Sequence, residues 1–326
     1  MVASLDIGTG GLCSARMEND EIKFRRIRNV FVELDLNPVT KMMLKKNDVP
    51  TVQGSNGKTL AVGDKALELA SAFNVMPKRP MKKGVIDPSE ISALPVLKAI
   101  IKELLGDPQE AGERVVFSVP ANPVDQQFDA IYHEGVFTKL LGELGYTGVP
   151  INEGLTVIYS ELLDENLTGI GVSLGAGMAN VCCAVMGAPL FSFSVAASGD
   201  YIDNSVATAL GISPVKVMRA KEVMDLMNPQ DQTEEAIGHY TKALHGYVID
   251  NIVKAYDALA KKPEFEGTLK VAVAGGTSMP KGFMELFEQQ IKARGGFLAE
   301  AQVVHAGDPL TAIANGALFS GLTEEE

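Results

Sequence analysis

The sequence predicts an α/β fold made of two related halves, and three observations carry that expectation. Short β-rich segments alternate with longer stretches of helical periodicity. A strand that ends in a glycine turn and leads into another strand occurs twice, at residues 8–11 and again at 175–177. The 326 residues, 46% of them apolar and 21% charged, suffice for one large or two medium domains with a substantial core.

The strand candidates, in order, are "VASLDI", "KTLAVG", "RVVFSVP", "TGIGVSLG", "NVCCAVM", "PLFSFSVAA" and "LKVAVAGG". Helices fill the gaps. Over 92–105, Ile100, Ile101, Leu104 and Leu105 form an apolar stripe. Its start is ambiguous: Asp87, Pro88 and Glu90 make a good cap, but Pro95 fits better in a first turn capped by Ser92. A second helix is expected over about 234–260, where Ile237, Tyr240, Leu244, Val248, Ile252, Tyr256 and Leu259 recur at steps of three or four. A third, "DPLTAIANGALFSGL", opens with Asp308 as cap and Pro309 at the first helical position. Its Ala, Asn and Gly residues permit close approach of another element.

Bulk properties narrow the function. The net charge of −12 argues against direct contact with nucleic acid or an anionic membrane surface. It does not exclude a phosphate ligand, which local backbone amides and a metal ion can hold. Cys182 and Cys183 are adjacent and should point to opposite faces of a strand; with Cys13 they form no disulfide or zinc framework. The four histidines show no ligand spacing. The chain runs from Met1 into "VASLDIGTG" without a leader-like segment, and no apolar run is long enough to span a bilayer, so a cytoplasmic protein is expected. No amphipathic helix precedes the first strand, which argues against direct membrane binding.

Three segments could carry chemistry. In "LDIGTGGLCSARM" a strand delivers Asp6, and Gly8, Thr9, Gly10 and Gly11 make a tight turn. Glycine lets amides approach an anion closely, and Thr9 adds a hydroxyl. Asp6 would repel bare phosphate, so its natural role is to hold a water-clad magnesium ion. A hairpin whose Asp merely caps the turn reads equally well from this motif alone. The second segment, "GVSLGAGMANVCC", turns at Gly175, Ala176 and Gly177. The third, "VAVAGGTSMPKGFMELF", runs from a strand into Gly275, Gly276, Thr277 and Ser278, then a helix from about Pro280. Neither a G-x-G-x-x-G fingerprint nor a P-loop is present.

Together and in this order, the three segments resemble the actin-like ATPase superfamily, and most of all bacterial actins of the MreB and MamK kind. The resemblance covers nearly the whole chain. "LDIGT" is similar to the family's first phosphate loop, "VGDKALELA" and "KRPMKKGVID" to its V-G-x-x-A and R-P-x-x-x-G-V-I segments, and "VVFSVPA" to its next strand. "INEG" resembles the segment bearing the catalytic acid, and "SLGAGMANVCCAV" the second phosphate loop, with "ASGDYID" following it. "VAVAGGTSMPKG" resembles the adenosine segment, and "GDPLTAIANGA" the last hinge helix.

The resemblance implies two ribonuclease-H-like lobes around a nucleotide cleft. The first lobe would be 1–150, with a small subdomain at about 30–80, plus a C-terminal helix at about 308–326. The second would be 151–307, with a small helical subdomain at about 206–267. ATP or ADP with Mg²⁺ would lie between the two hairpins. Asp6 would orient magnesium waters, and Gly8, Thr9, Gly10, Gly175, Ala176, Gly177 and Met178 would cradle phosphate. Glu153 would position and polarise the attacking water. Gly275, Gly276 and Thr277 would pack against adenine and ribose, with Lys221 and Glu222 nearby.

Two departures bear on activity. Where the family reads D-x-G-x-G-T, this chain has Ser173 for the Asp and Met178 for the Thr. Each loses a charge or hydroxyl near the phosphates, worth about 1.5–3 kcal/mol. In "VMRAKEV", Met218 replaces a ribose-bonding Glu, with Glu222 as a nearby substitute. The expectation is a protein that binds nucleotide, hydrolyses it slowly and self-associates into filaments, with an unidentified cargo or adaptor protein as a further partner. The alternative is a nucleotide-binding adaptor or scaffold with little or no ATPase activity.

Overall fold

The computed structural model describes residues 2–323 apart from 36, 56, 74, 128, 129 and 266. The chain opens with an antiparallel meander, β1 (Val2–Ile7), β2 (Gly11–Glu18) and β3 (Glu21–Arg28). Next come β4 (Phe31–Leu34), α1 (Pro38–Lys46), β5 (Thr51–Gln53), β6 (Thr59–Val62) and α2 (Asp64–Phe73). A two-residue hairpin, β7 (Met81–Lys82) and β8 (Val85–Ile86), leads to α3 (Ala93–Leu105). The stretch closes with β9 (Arg114–Val119), α4 (Ile131–Glu143) and β10 (Thr147–Asn152).

From there α5 (Glu153–Glu161) leads to a second meander, β11 (Gly169–Leu174), β12 (Ala179–Val185) and β13 (Ala188–Val195). The helices α6 (Gly199–Leu210), α7 (Pro214–Val223) and α8 (Gln232–Asp257) follow. The chain then forms β14 (Lys270–Ala274), α9 (Phe283–Arg294), β15 (Gln302–His305) and α10 (Ala312–Thr323).

The two halves repeat one topology. The first sheet is ordered β10-β9-β1-β2-β3 and the second β15-β14-β11-β12-β13. In each, the meander is antiparallel and two later strands add in parallel beside its first strand. This is a duplicated, two-lobed actin-like α/β fold. A smaller sheet, β4-β6-β5, packs with α1 and α2 around Leu34, Leu44 and Ala66.

Each large sheet has one face on its own helices and one on a shared layer. Leu5, Phe117 and Phe137 belong to the first outer cluster, and Val172, Ile249 and Phe287 to the second. Between the sheets lie α5 and α10, packed with Val116, Cys182 and Ala272. The two helices cross almost backbone to backbone: a Cβ on Gly316 would overlap the Thr156 carbonyl oxygen. Ser4 Oγ donates to the Ala314 carbonyl at 2.6 Å, tying α10 to β1. Cys182 faces this middle layer while Cys183 faces the outer helices, as strand alternation requires.

Every strand segment read from the sequence is present, and three helices have shifted boundaries. The long helix spans Gln232–Asp257 with Asp231 as N-cap, two residues earlier at its start and three at its end than expected. The helix expected from Pro280 starts at Phe283, because Gly282 at φ 81° breaks the chain's helical path just before it and the Phe283 amide closes a turn onto the Pro280 carbonyl. The last helix starts at Ala312 rather than at Pro309. The Asp308 carboxylate accepts from the Leu310 amide and its carbonyl from Thr311 and Ala312, which closes a separate turn first. Residues 324–326, part of the expected C-terminal helix, lie outside the described residues. At α3, Ser92 is the N-cap position but makes no side-chain capping bond.

Candidate functional site

The two glycine turns meet tip to tip across a cleft of about 710 Å³. A Cβ on Gly10 would stand 3.1 Å from the Ala176 Cβ, and one on Gly177 would stand 2.5 Å from Thr9 Oγ1. The first turn closes through a Gly8 amide to Gly11 carbonyl bond of 3.1 Å. Asn29 braces it, donating from Nδ2 to the Gly8 carbonyl and from its amide to the Gly10 carbonyl. The second closes through Gly175 to Met178 at 3.2 Å. Its carbonyls are held from behind: Ser198 Oγ and Thr277 Oγ1 donate to Gly175, and the Asp200 amide donates to Ala176. Among the described residues, nothing accepts a hydrogen bond from the amides of Thr9, Gly10, Ala176 and Gly177. Unpaired amides converging from two turns form a concavity suited to an anion.

Behind the turns stand two carboxylates. Asp6 is the last residue but one of β1, where Ser118 Oγ on β9 donates to its Oδ1 at 3.0 Å and accepts from the Ile7 amide. Glu153 opens α5, whose N-cap Asn152 accepts from the Leu155 amide. A Cβ on Gly154 would stand only 2.6 Å from the Cys182 amide nitrogen, so α5 lies directly on β12. That contact sets the Glu153 carboxylate beside β11, where Ser173 Oγ donates to its Oε1 at 2.7 Å. Both carboxyls touch solvent only along the cleft and otherwise lie deep in protein. Burial lifts both above the usual carboxylate range. Each is then moderated: Asp6 by Ser118 and by the charge of Arg26, Glu153 by Ser173 and Asn180, while the Asp6 charge pushes Glu153 further up. Two adjacent acids that resist ionisation suit a cation between them. Together with the free amides, they fit a phosphate chain with its magnesium ion.

Of the other residues proposed from the sequence, Gly275, Gly276 and Glu222 line the cleft, Glu222 beside Met218. Thr277 lines it too, but its hydroxyl is committed to the second turn. Lys221 is buried, with Nζ donating to Asp203 Oδ1 at 2.6 Å and to the Gly199 carbonyl at 3.1 Å, so it stiffens the cleft wall. Met178 is buried against Gly84: a Cβ there would stand 2.9 Å from the Met178 Sδ. Thr9 Oγ1 accepts from the Gly84 amide at 3.0 Å, so the β7–β8 hairpin touches both turns.

Three contributors escaped the sequence reading. Arg79 Nη1 reaches both oxygens of Asp200, at 2.8 and 2.9 Å, bridging the halves 121 residues apart. Asn180 Oδ1 accepts from the Ala121 amide at 3.1 Å. Arg26, on β3, lines the cleft. Strand alternation places it on one face with Phe24 and Arg28, but pairing register, which sequence spacing does not encode, decides what that face looks onto.

The duplicated sheets and the paired glycine turns define the class: an actin-like protein. A family model described as Volactin matches residues 1–321, and the chain belongs to the volactin family. Among solved structures, it is similar to a MamK double helical filament, with 20% identity and a TM-score of 0.75 over 100% of this chain and 99% of that one. It is also similar to MreB5 of Spiroplasma citri bound to AMPPNP, with 12% identity and a TM-score of 0.72 over 99% and 97%. The ADP-bound MreB5 gives 13% and 0.69 over 99% and 96%. A search of curated proteins finds no significant match. At these identities the likeness establishes the fold.

Proposed function

We propose that this chain binds ATP with Mg²⁺ in the cleft, hydrolyses it slowly and assembles into filaments in a nucleotide-dependent way. The observation that carries the reading is the meeting of two amide-lined turns over Asp6 and Glu153. The amides of Thr9, Gly10, Ala176 and Gly177 would hold the phosphates, with Asp6 and Glu153 facing the cation. Magnesium would neutralise charge on the phosphate oxygens. Gly275 and Gly276 would give the nucleoside a flat backbone surface.

Glu153 is the general-base candidate. Its raised basicity favours taking a proton from water, and Ser173 fixes the orientation of Oε1. Ser173 therefore does more than omit a charge: it is a neutral donor where a third carboxylate would raise Glu153 further. The backbone cradle does not depend on the side chain at 178, and Met178 serves as a contact between the turn and Gly84.

The moving units in this reading are 1–150 with the C-terminal helix, and 151–307, closing through the crossing of α5 and α10. Closure on ATP would align surfaces for open, head-to-tail association. The solved MamK relative is a double helical filament and the MreB5 relatives carry AMPPNP or ADP, which supports both halves of the proposal. Sedimentation and electron microscopy with ATP, ADP and no nucleotide test it; no nucleotide-dependent polymer at any protein concentration refutes assembly. A scaffold with negligible ATPase is the second reading, favoured by Ser173. Phosphate release equal and negligible in wild type and Glu153→Ala selects it.

A further inference from the structure

Among the described residues, four cations line the cleft: Arg26, Arg28, Arg79 and Lys221. Three are spent on carboxylates, Arg28 with Asp64 at 3.3 Å, Arg79 with Asp200 at 2.8 Å and Lys221 with Asp203 at 2.6 Å. Arg26 has no carboxylate partner among the described residues. Its place follows from register. Asp6 pairs with Cys13 across β1 and β2, and Cys13 pairs with Arg26 across β2 and β3. The three therefore form a row on the face that carries the middle layer, since Cys13 belongs to that cluster. Two strand spacings, about 10 Å, separate the backbones of Asp6 and Arg26. An extended arginine covers most of that distance. Its charge is felt at both Asp6 and Cys13, although Arg26 itself is solvent-exposed.

We propose that Arg26 is the phosphate-binding cation of this cleft, reaching over Cys13 from the third strand to the polyphosphate of a nucleotide. The small neutral side chain at position 13 leaves the path clear. Among the described residues, the cradle of backbone amides with two acids behind it has no other cation without a carboxylate partner, so Arg26 sets the preference for a charged phosphate chain over a bare nucleoside. The inference rests on the nucleotide reading of the cleft. A guanidinium is suited to the role because its fork bonds phosphate oxygens in pairs and it stays charged at any working pH.

The test is calorimetric titration of the purified protein with ATP, ADP and adenosine, each with magnesium. The variants are Arg26→Gln, Arg26→Lys and Arg25→Gln. Arg25 sits one residue away on the opposite face of β3, so its variant makes the same change in net charge without touching the cleft. Arg26→Gln should weaken ATP about ten- to a hundredfold, the scale of one charge-assisted contact, and leave adenosine unchanged. Arg26→Lys should recover part of the loss, and Arg25→Gln should match wild type. Equal ATP affinity in wild type and Arg26→Gln overturns the proposal while leaving the nucleotide reading intact. An equal loss in Arg25→Gln and Arg26→Gln also overturns it, as a general charge effect. Wild type that binds no ATP overturns the nucleotide reading, and the role of Arg26 with it.

Discussion

Replacing Ser173 with Ala removes one donor from a carboxylate that burial already disfavours. The bond to Glu153 Oε1 is 2.7 Å long at the floor of the cleft, and it becomes charge-assisted where Glu153 is ionised. Losing such a bond costs about 1.5–3 kcal/mol, which corresponds to roughly ten- to a hundredfold in a rate or equilibrium. Ser173 favours the ionised form of Glu153, so its contribution to stability is present where Glu153 is charged and fades as pH falls through the raised pKa. The ligand-free Ser173→Ala protein should therefore melt below wild type, by most at alkaline pH, with the gap closing on acidification. Phosphate release with ATP and magnesium should fall by the same ten- to hundredfold, because Glu153 Oε1 loses the donor that holds it in place. Thermal melts across a pH series and a phosphate-release assay measure the two effects. Identical melting curves at every pH, together with unchanged release, would refute the claim that Ser173 orients Glu153.

Other expectations follow from the same geometry. Glu153→Gln should raise the melting temperature of the ligand-free protein at neutral and alkaline pH but not in acid. A carboxyl whose pKa is raised on folding, here from 4.5 to about 8, costs stability increasingly as pH climbs from the unfolded to the folded value, and the neutral amide escapes this; added magnesium should stabilise wild type more than the variant. Gly316→Ala should destabilise by about 3 kcal/mol or more, since the new Cβ meets the Thr156 backbone, which no rotamer change relieves. Gly238→Ala, in α8 with open space around it, should stabilise by about 0.5–1 kcal/mol, and parallel melts of the two separate packing from helix propensity. Arg79→Ala should cost no more than about 1 kcal/mol, because both partners are partly solvated. Hydrogen exchange over 79–86 should nevertheless accelerate, and unchanged exchange there would remove Arg79 as a clasp between the halves.

What could be read from the sequence was local. The apolar strands feeding glycine turns were legible because each buries nearly every residue, as "VASLDI" and "GIGVSL" do. β3 was missed because its mixed "EIKFRRIR" leaves charged side chains exposed on both faces of an edge strand, and β10 because Pro150 interrupts it at the other edge. The order of motifs pointed to Asp6 and Glu153, and the fold brings both to one cleft. The partnership of Ser173 with Glu153 was not legible, for it depends on how closely α5 rests on β12. The ion pair of Arg79 with Asp200 and the placing of Arg26 in one cross-strand row with Asp6 are likewise tertiary facts, fixed by the approach of the two halves and by register. By its motif Ser173 is the loss of a carboxylate; in the fold it is the donor that holds Glu153.

The adjacent thiols on β12 offer a view of the molecule's internal stability. Cys182 belongs to the layer shared by the two sheets and Cys183 to the outer helical layer, and burial pushes both thiols up to about 12. Neither reacts readily with an alkylating reagent until its own layer opens. Consecutive residues on a single strand thus act as clocks for two different openings. Unequal labelling of the pair, resolved by peptide fragmentation, would tell whether the outer helices peel away before the seam between the sheets parts.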